Sequence, residues 1–150
     1  MLNLAYWTHN LSPFLIQFSD NIGIRYYGLA YMLGFICAGW LLHQYAKVGR
    51  SKLAGEQIMD FMTAMIIGVM LGGRLGYFLL YEPASLIEDP LLFFKLWKGG
   101  MASHGGFIGV AIALVWFGRS RHIPFLHLSD LVASTTAVGL MLGRIANFIN

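Results

Sequence analysis

Three residues at the end of the chain and one in its middle have the types and spacing to do chemistry. Arg144, Asn147 and Asn150 recur at every third position of the closing run Gly143-Arg144-Ile145-Ala146-Asn147-Phe148-Ile149-Asn150. On a helix that spacing gathers one guanidinium and two carboxamides into a single polar stripe. The stripe ends a segment, Leu128 to Asn150, that is otherwise apolar enough to sit in lipid. Arginine in hydrocarbon costs a few kcal/mol on insertion scales, so it is rarely there without a task. His104 stands between Ser103 and the pair Gly105-Gly106. Histidine titrates near neutral pH and can take a proton from an incoming nucleophile. Glycines beside it remove side chains and let another group approach the imidazole. From the residues alone, catalysis and packing stay equally open for His104.

Arg74 is a third cation in an apolar segment. It could be structural, hydrogen-bonded to carbonyls of a neighbouring helix, or part of a ligand site. Two arginines, a histidine and two asparagines suggest an anionic ligand, since a guanidinium matches phosphate bidentately. A phospholipid headgroup is the expected anion, because the segments already border lipid. The sequence holds no His-Glu-x-x-His zinc site, no Gly-x-Ser-x-Gly elbow and no P-loop. Carboxylates are too scarce in the apolar segments to hold a pair of metal ions. The expected chemistry is therefore acid/base work supported by cations, with no metal and no cofactor.

The elements that must position these groups are membrane helices. The 150 residues are 57% hydrophobic and 11% charged, against roughly 25% charged in ordinary soluble domains. The net charge is +3, and the basic residues form short clusters between apolar segments, which argues for membrane orientation and against a nucleic-acid partner. The one cysteine, Cys37, excludes an internal disulfide and reads as packing inside its segment. The first twenty residues lack a basic n-region and read as an interfacial lead-in, with Tyr6, Trp7, Phe14 and Phe18 at headgroup level.

The expected architecture is an all-α membrane protein, a polytopic helix bundle forming one domain with transmembrane spans at about 22–46, 57–81, 100–117 and 128–150. Gly68, Gly72 and Gly76 in the second span form a small-xxx-small seam for close helix approach. Tyr26, Tyr27 and Tyr31 read as an aromatic belt at the start of the first span. Pro83 and Pro90 break the long connection, and Leu91 to Trp97 reads as a segment lying in the membrane surface. Ser129-Asp130 reads as the N-cap of the fourth span. Asp60 and Asp130 read as interfacial. Lys47, Arg50 and Lys52 follow the first span, and Arg119 and Arg121 follow the third, so the N-terminus is expected outside, with Arg25, Tyr26, Tyr27, Trp97 and His104 on the outer side.

Taken together, four stretches resemble the bacterial prolipoprotein diacylglyceryl transferases. They are the closing run from Gly143, Met101-Ala102-Ser103-His104-Gly105-Gly106, Gly72-Gly73-Arg74-Leu75-Gly76-Tyr77 and Tyr26-Tyr27-Gly28-Leu29. The resemblance covers the chain from the first span to the last residue. It implies a multi-pass enzyme of the bacterial inner membrane that moves the diacylglyceryl group of phosphatidylglycerol onto the lipobox cysteine thiol of a prolipoprotein signal peptide, the first step of lipoprotein maturation. It implies that His104 is the base, that Tyr27 is a functional tyrosine, and that Arg144 and Asn147 hold the headgroup phosphate. Arg74, Gly105 and Asn150 would line the phosphatidylglycerol site. Members of that family are longer, with roughly seven spans and a further catalytic arginine, so the chain is expected to be the N-terminal part of such a fold and inactive alone. The competing readings are a phospholipid-binding membrane module without chemistry and a small anion transporter. Paired broken helices or internal repeats would favour the transporter, and the sequence has neither.

Overall fold

A computed structural model of the chain describes residues 12, 14–19, 22–95 and 99–149. Tyr6, Trp7, Trp97 and Asn150 therefore lie outside the described residues. Two short strands, β1 (Phe14–Ser19) and β2 (Ile22–Arg25), precede five helices: α1 (Tyr26–Lys47), α2 (Gln57–Leu80), α3 (Pro83–Glu88), α4 (Ser103–Arg121) and α5 (Phe125–Ile149). A 3-10 helix, Pro90–Phe94, follows α3.

The strands correct the all-α expectation. β1 and β2 pair antiparallel, Phe14 opposite Arg25 and Gln17 opposite Gly23, and the Arg25 guanidinium lies 4.9 Å from the Phe14 ring centre. The aromatic lead-in thus includes a hairpin, and the first helix begins at Tyr26 rather than at residue 22. The fourth long helix also starts earlier than expected. Ser129 and Asp130 lie inside α5, where Ser129 Oγ donates to the Phe125 carbonyl at 3.0 Å. Pro124 provides the actual boundary, its carbonyl accepting the Leu128 amide at 3.2 Å. The third helix runs four residues past residue 117, to Arg121. It is closed by His122 at φ 55° and by the Ile123 amide on the Gly118 carbonyl at 2.9 Å. That is the usual left-handed stop after a helix.

Two of the helices, Gln57–Leu80 and Phe125–Ile149, are long and apolar enough to cross a membrane, with mean hydropathies of 1.6 and 1.4. Their apolar side chains face outward, Leu79, Leu80 and Leu140 each more than 60% exposed. Bare apolar surface of that extent needs lipid or protein to cover it.

The described contacts fall into two units, 42–132 and a second made of 1–41 with 133–150. In the first, α2 and α4 pack along a seam of glycines. A Cβ on Gly68 would come within 2.8 Å of the Gly109 carbonyl oxygen and 2.9 Å of Ala113 Cβ, and one on Gly76 within 2.7 Å of Gly105 Cα. A Cβ on Gly72 would run into the Gly105 carbonyl. Rising numbers on α2 meet falling numbers on α4, so the helices are antiparallel. The expected seam exists, and its partner face is Gly105 and Gly109. Beyond it, large side chains take over: Leu53, Ile58, Phe61, Leu114, Phe117 and Leu128 form a buried core. Phe61 and Phe117 meet edge to face at 5.2 Å. Arg121 pairs with Asp60 at 2.8 Å at the rim of that core. Replacing Gly72 by valine drives methyls into backbone that cannot yield. The expected loss is about 1–3 kcal/mol or more, read as a lower unfolding midpoint in detergent micelles, with Gly139→Val, whose Cβ position is open, as the comparison.

Candidate functional site

His104 is the second residue of α4, and its side chain is exposed. It makes no hydrogen bond or ion pair among the described residues. Its neighbours Gly105 and Gly106 are buried, and this revises their expected purpose. Gly105 lets α2 come close: a Cβ there would fall 2.8 Å from Gly76 Cα. Among the described residues neither ring nitrogen of His104 has a hydrogen-bond partner. The backbone is fixed from α2. Ala102 is extended (φ −100°, ψ 125°), its amide donates to the Gly73 carbonyl at 2.9 Å, and its carbonyl accepts the Gly106 amide at 3.0 Å.

Arg74 is buried, at 2% exposure. Its Nε donates to the Phe93 carbonyl at 3.0 Å. Nη1 donates to Gly100 at 2.9 Å and also to Gly99. Nη2 donates to Lys95 at 3.1 Å and also to Leu92. Its guanidinium carbon stands 4.8 Å from the Phe78 ring centre. A guanidinium has five N–H donors, and all are committed to backbone oxygens. The structural alternative raised for Arg74 therefore fits the geometry, with the difference that the carbonyls belong to the connection and not to a neighbouring helix. A lipid phosphate would have to displace those carbonyls, so the geometry gives no support to Arg74 as part of the lipid site. The run after Pro90 supplies three of these carbonyls and Gly99 and Gly100 the other two, with Asp89 Oδ1 accepting the Leu91 amide at 3.1 Å to start the turn. Nothing in that run's side chains signals this role, because the ligands of the arginine are main-chain atoms.

The second unit carries Tyr27, Arg144 and Asn147. Tyr27 and Tyr31 stand one turn apart on α1 with hydroxyls 3.1 Å apart and rings edge to face at 4.9 Å. Tyr31 was legible only as belt, yet it is the direct partner of the candidate Tyr27. On α5, Ala146 is buried at 2% exposure, while Arg144 and Asn147 are exposed and make no hydrogen bond or ion pair among the described residues. α1 and α5 meet at Gly34 and Gly139, where a Cβ on Gly34 would lie 3.2 Å from Gly139 Cα. Thus one unit holds Tyr27, Arg144 and Asn147, and the other holds His104, Gly105 and Arg74. Asn150 lies outside the described residues.

What the arrangement offers chemically is an unengaged imidazole at a helix start, an unengaged guanidinium with a carboxamide one turn on, and a paired phenol. These suit deprotonation of a nucleophile and binding of a tetrahedral anion. The sequence profile of the family described as "Prolipoprotein diacylglyceryl transferase" matches residues 13–150. A relative from Bdellovibrio bacteriovorus named "Phosphatidylglycerol--prolipoprotein diacylglyceryl transferase" is 46% identical over 148 residues, covering 95% of the chain and 42% of the relative. Relatives of the same name from Vibrio atlanticus and Neisseria gonorrhoeae are 41% and 46% identical, covering 94% and 95% of the chain and 51% and 50% of their own lengths. The chain spans about half the length of the curated relatives it matches.

Proposed function

The chain belongs to the prolipoprotein diacylglyceryl transferase family, and we propose that it supplies the base and the phosphate-binding half of an enzyme that transfers diacylglyceryl from phosphatidylglycerol to a prolipoprotein cysteine thiol. His104 takes the thiol proton. The sulfur attacks the glyceryl carbon bonded to the phosphate ester, a C–S bond forms, and the C–O bond breaks. Glycerol phosphate leaves with the electron pair. Arg144 and Asn147 bind the phosphate oxygens as that charge develops, which lowers the barrier where binding strengthens in the transition state. Tyr27, braced by Tyr31, and Asn150 complete the polar lining, and Gly105 sets the approach of α2. Arg74 is left out of headgroup binding because its donors are taken.

The carrying observation is that His104, Arg144 and Asn147, an imidazole, a guanidinium and a carboxamide, are exposed and have no hydrogen bond or ion pair among the described residues, as this chemistry requires. A transfer assay tests it. An enzyme of the relatives' full length, carrying this chain as its N-terminal half, is given phosphatidylglycerol and a lipobox peptide. A peptide gaining the diacylglyceryl mass supports the reading, and lipid binding without any thioether product defeats it.

All four long helices are read as spans. α1 and α4, at 22 and 19 residues, reach about 33 and 28 Å at 1.5 Å per residue, which matches the ~30 Å hydrocarbon core. Tyrosines and His43 in α1, and glycines and His104 in α4, lower their hydropathy. With alternating spans α1 and α5 run antiparallel. Counting from the Gly34–Gly139 crossing, Tyr27 then lies about 10 Å along α1 and Arg144 and Asn147 about 8 and 12 Å along α5, at one level. The basic residues after α1 and α4 support an outside N-terminus in the bacterial inner membrane. In a Cys37→Ser background, Glu88→Cys is expected to react with an impermeant maleimide in spheroplasts while Ser51→Cys reacts only after lysis. The reverse pattern would invert the topology.

A further inference from the structure

Resting on that transferase reading, we propose that Arg74 is a positioning residue for His104. Its guanidinium gathers the 92–100 connection onto α2 so that the first turn of α4 starts at a fixed place with its imidazole outward. The five acceptors come from both ends of the connection, Leu92, Phe93 and Lys95 on one side and Gly99 and Gly100 on the other. One side chain therefore closes the loop on itself. Two residues past the last clamped carbonyl, at Gly100, comes Ala102, whose amide is fixed on Gly73, the residue adjacent to Arg74. Consecutive residues of α2 thus hold the chain just ahead of Ser103 and His104.

A third restraint acts from the same helix. Gly100 has φ 85°, and a Cβ on it would lie 2.6 Å from Tyr77 Cε1, so the connection is pressed onto α2 where only glycine fits. The His104 side chain has no hydrogen bond or ion pair among the described residues to define its position. Its placement is inherited through backbone from α2. Arg74 has no carboxylate partner among the described residues, and the five carbonyl dipoles balance its charge. Removing it would leave those part-buried oxygens without their donor, which costs stability to the extent that water cannot replace it.

The test compares Arg74→Lys and Arg74→Gln in the full-length enzyme. Lysine keeps the charge but offers three donors from one point, which cannot match a five-donor planar fork. A residue that binds phosphate by charge would be largely rescued by lysine, and a clamp would not. Both variants are expected to lose kcat by about a hundredfold, the size of effect from ~1 Å misplacement of a reacting group, with KM for phosphatidylglycerol near wild type. Trypsin is expected to cut faster after Lys95 in both. Wild-type kcat in Arg74→Lys, or a raised KM with unchanged kcat, overturns the proposal. If the wild-type enzyme shows no transfer, the transferase reading fails separately, and unchanged trypsin cleavage in the variants still overturns the clamp. Where the Arg74 variants do not assemble in the membrane, Gly100→Ala, which keeps Arg74 and lifts the connection off Tyr77, is expected to lose kcat alike. Wild-type kcat in Gly100→Ala overturns the proposal.

Discussion

Replacing His104 by alanine in the full-length enzyme lowers kcat/KM for transfer to a lipobox peptide by about 10²–10⁴, the usual contribution of a positioned general base. The protein remains folded. The side chain is exposed and unengaged, and a surface substitution away from any packing or capping feature shifts stability by no more than about 0.5 kcal/mol. The loss is therefore chemical, and pH separates it from other causes. A free thiol with a pKa of about 8.5 is only a few per cent ionised at pH 7 and mostly ionised at pH 9. If His104 supplies deprotonation, the alanine variant recovers on the order of twentyfold between those values by the same ionisation, while the wild type recovers far less. Ser103→Ala, exposed and unengaged on the same turn, is the matched control and retains activity. Full transfer by His104→Ala at neutral pH, or an alanine variant with no alkaline recovery, removes His104 from the role of base.

The long helices were legible because apolar runs bounded by basic or proline-containing breaks have few other ways to be satisfied in lipid. The second span came out one residue from its expected end, since Gln57 and Tyr81 both mark polar boundaries. The glycine seam was legible too, because recurrence at every fourth position has one main use in a membrane helix. Its partner face was not. Gly105 and Gly106 sit beside a histidine, and that context suggested room for a ligand at positions whose Cβ atoms would meet α2; Gly109 carried no such signal. The hairpin was missed because Phe14, Leu15, Ile16 and Phe18 read equally as interfacial aromatics. The signal was Asp20-Asn21 between two short β-prone runs. Ser129-Asp130 misled for a related reason. A capping pair inside a helix looks the same in sequence as one at its start, and Pro124 was the better marker.

The candidate site was legible by residue type and not by connection. A histidine, an arginine and a carboxamide stand out in an apolar chain because each is expensive there. Arg74 stands out in the same way, yet its partners are the carbonyl oxygens of Leu92, Phe93, Lys95, Gly99 and Gly100, which have no side-chain signature. The same expense thus marks two different settings, a guanidinium saturated by backbone at Arg74 and one without a hydrogen-bond or ion-pair partner among the described residues at Arg144. Geometry, not composition, separates them.

That contrast sets the second large effect. Arg144→Leu is expected to abolish transfer while leaving the fold as stable as wild type or more so. Arg144 has no hydrogen-bond or ion-pair partner among the described residues to lose, and an arginine without one in a membrane helix is a cost of a few kcal/mol on insertion scales. Leucine removes the cost. A membrane-helix arginine that lowers stability and has no hydrogen-bond or ion-pair partner among the described residues fits a residue that waits for a ligand, the usual conflict between stability and function. Removing one preorganised donor to a developing oxyanion typically costs about 10²–10³ in kcat, and a charged, bidentate donor belongs at the upper end. Arg144→Lys keeps the charge and loses the fork, so it should fall between wild type and leucine. Asn147→Ala, which removes a neutral donor one turn away, should cost less than Arg144→Leu. The decisive comparison is thermal midpoint against kcat for Arg144→Leu in one detergent preparation. An inactive variant with an undiminished midpoint places the guanidinium on the substrate phosphate. A midpoint that falls together with kcat would make Arg144 a second structural arginine, like Arg74, and the phosphate would need another cation.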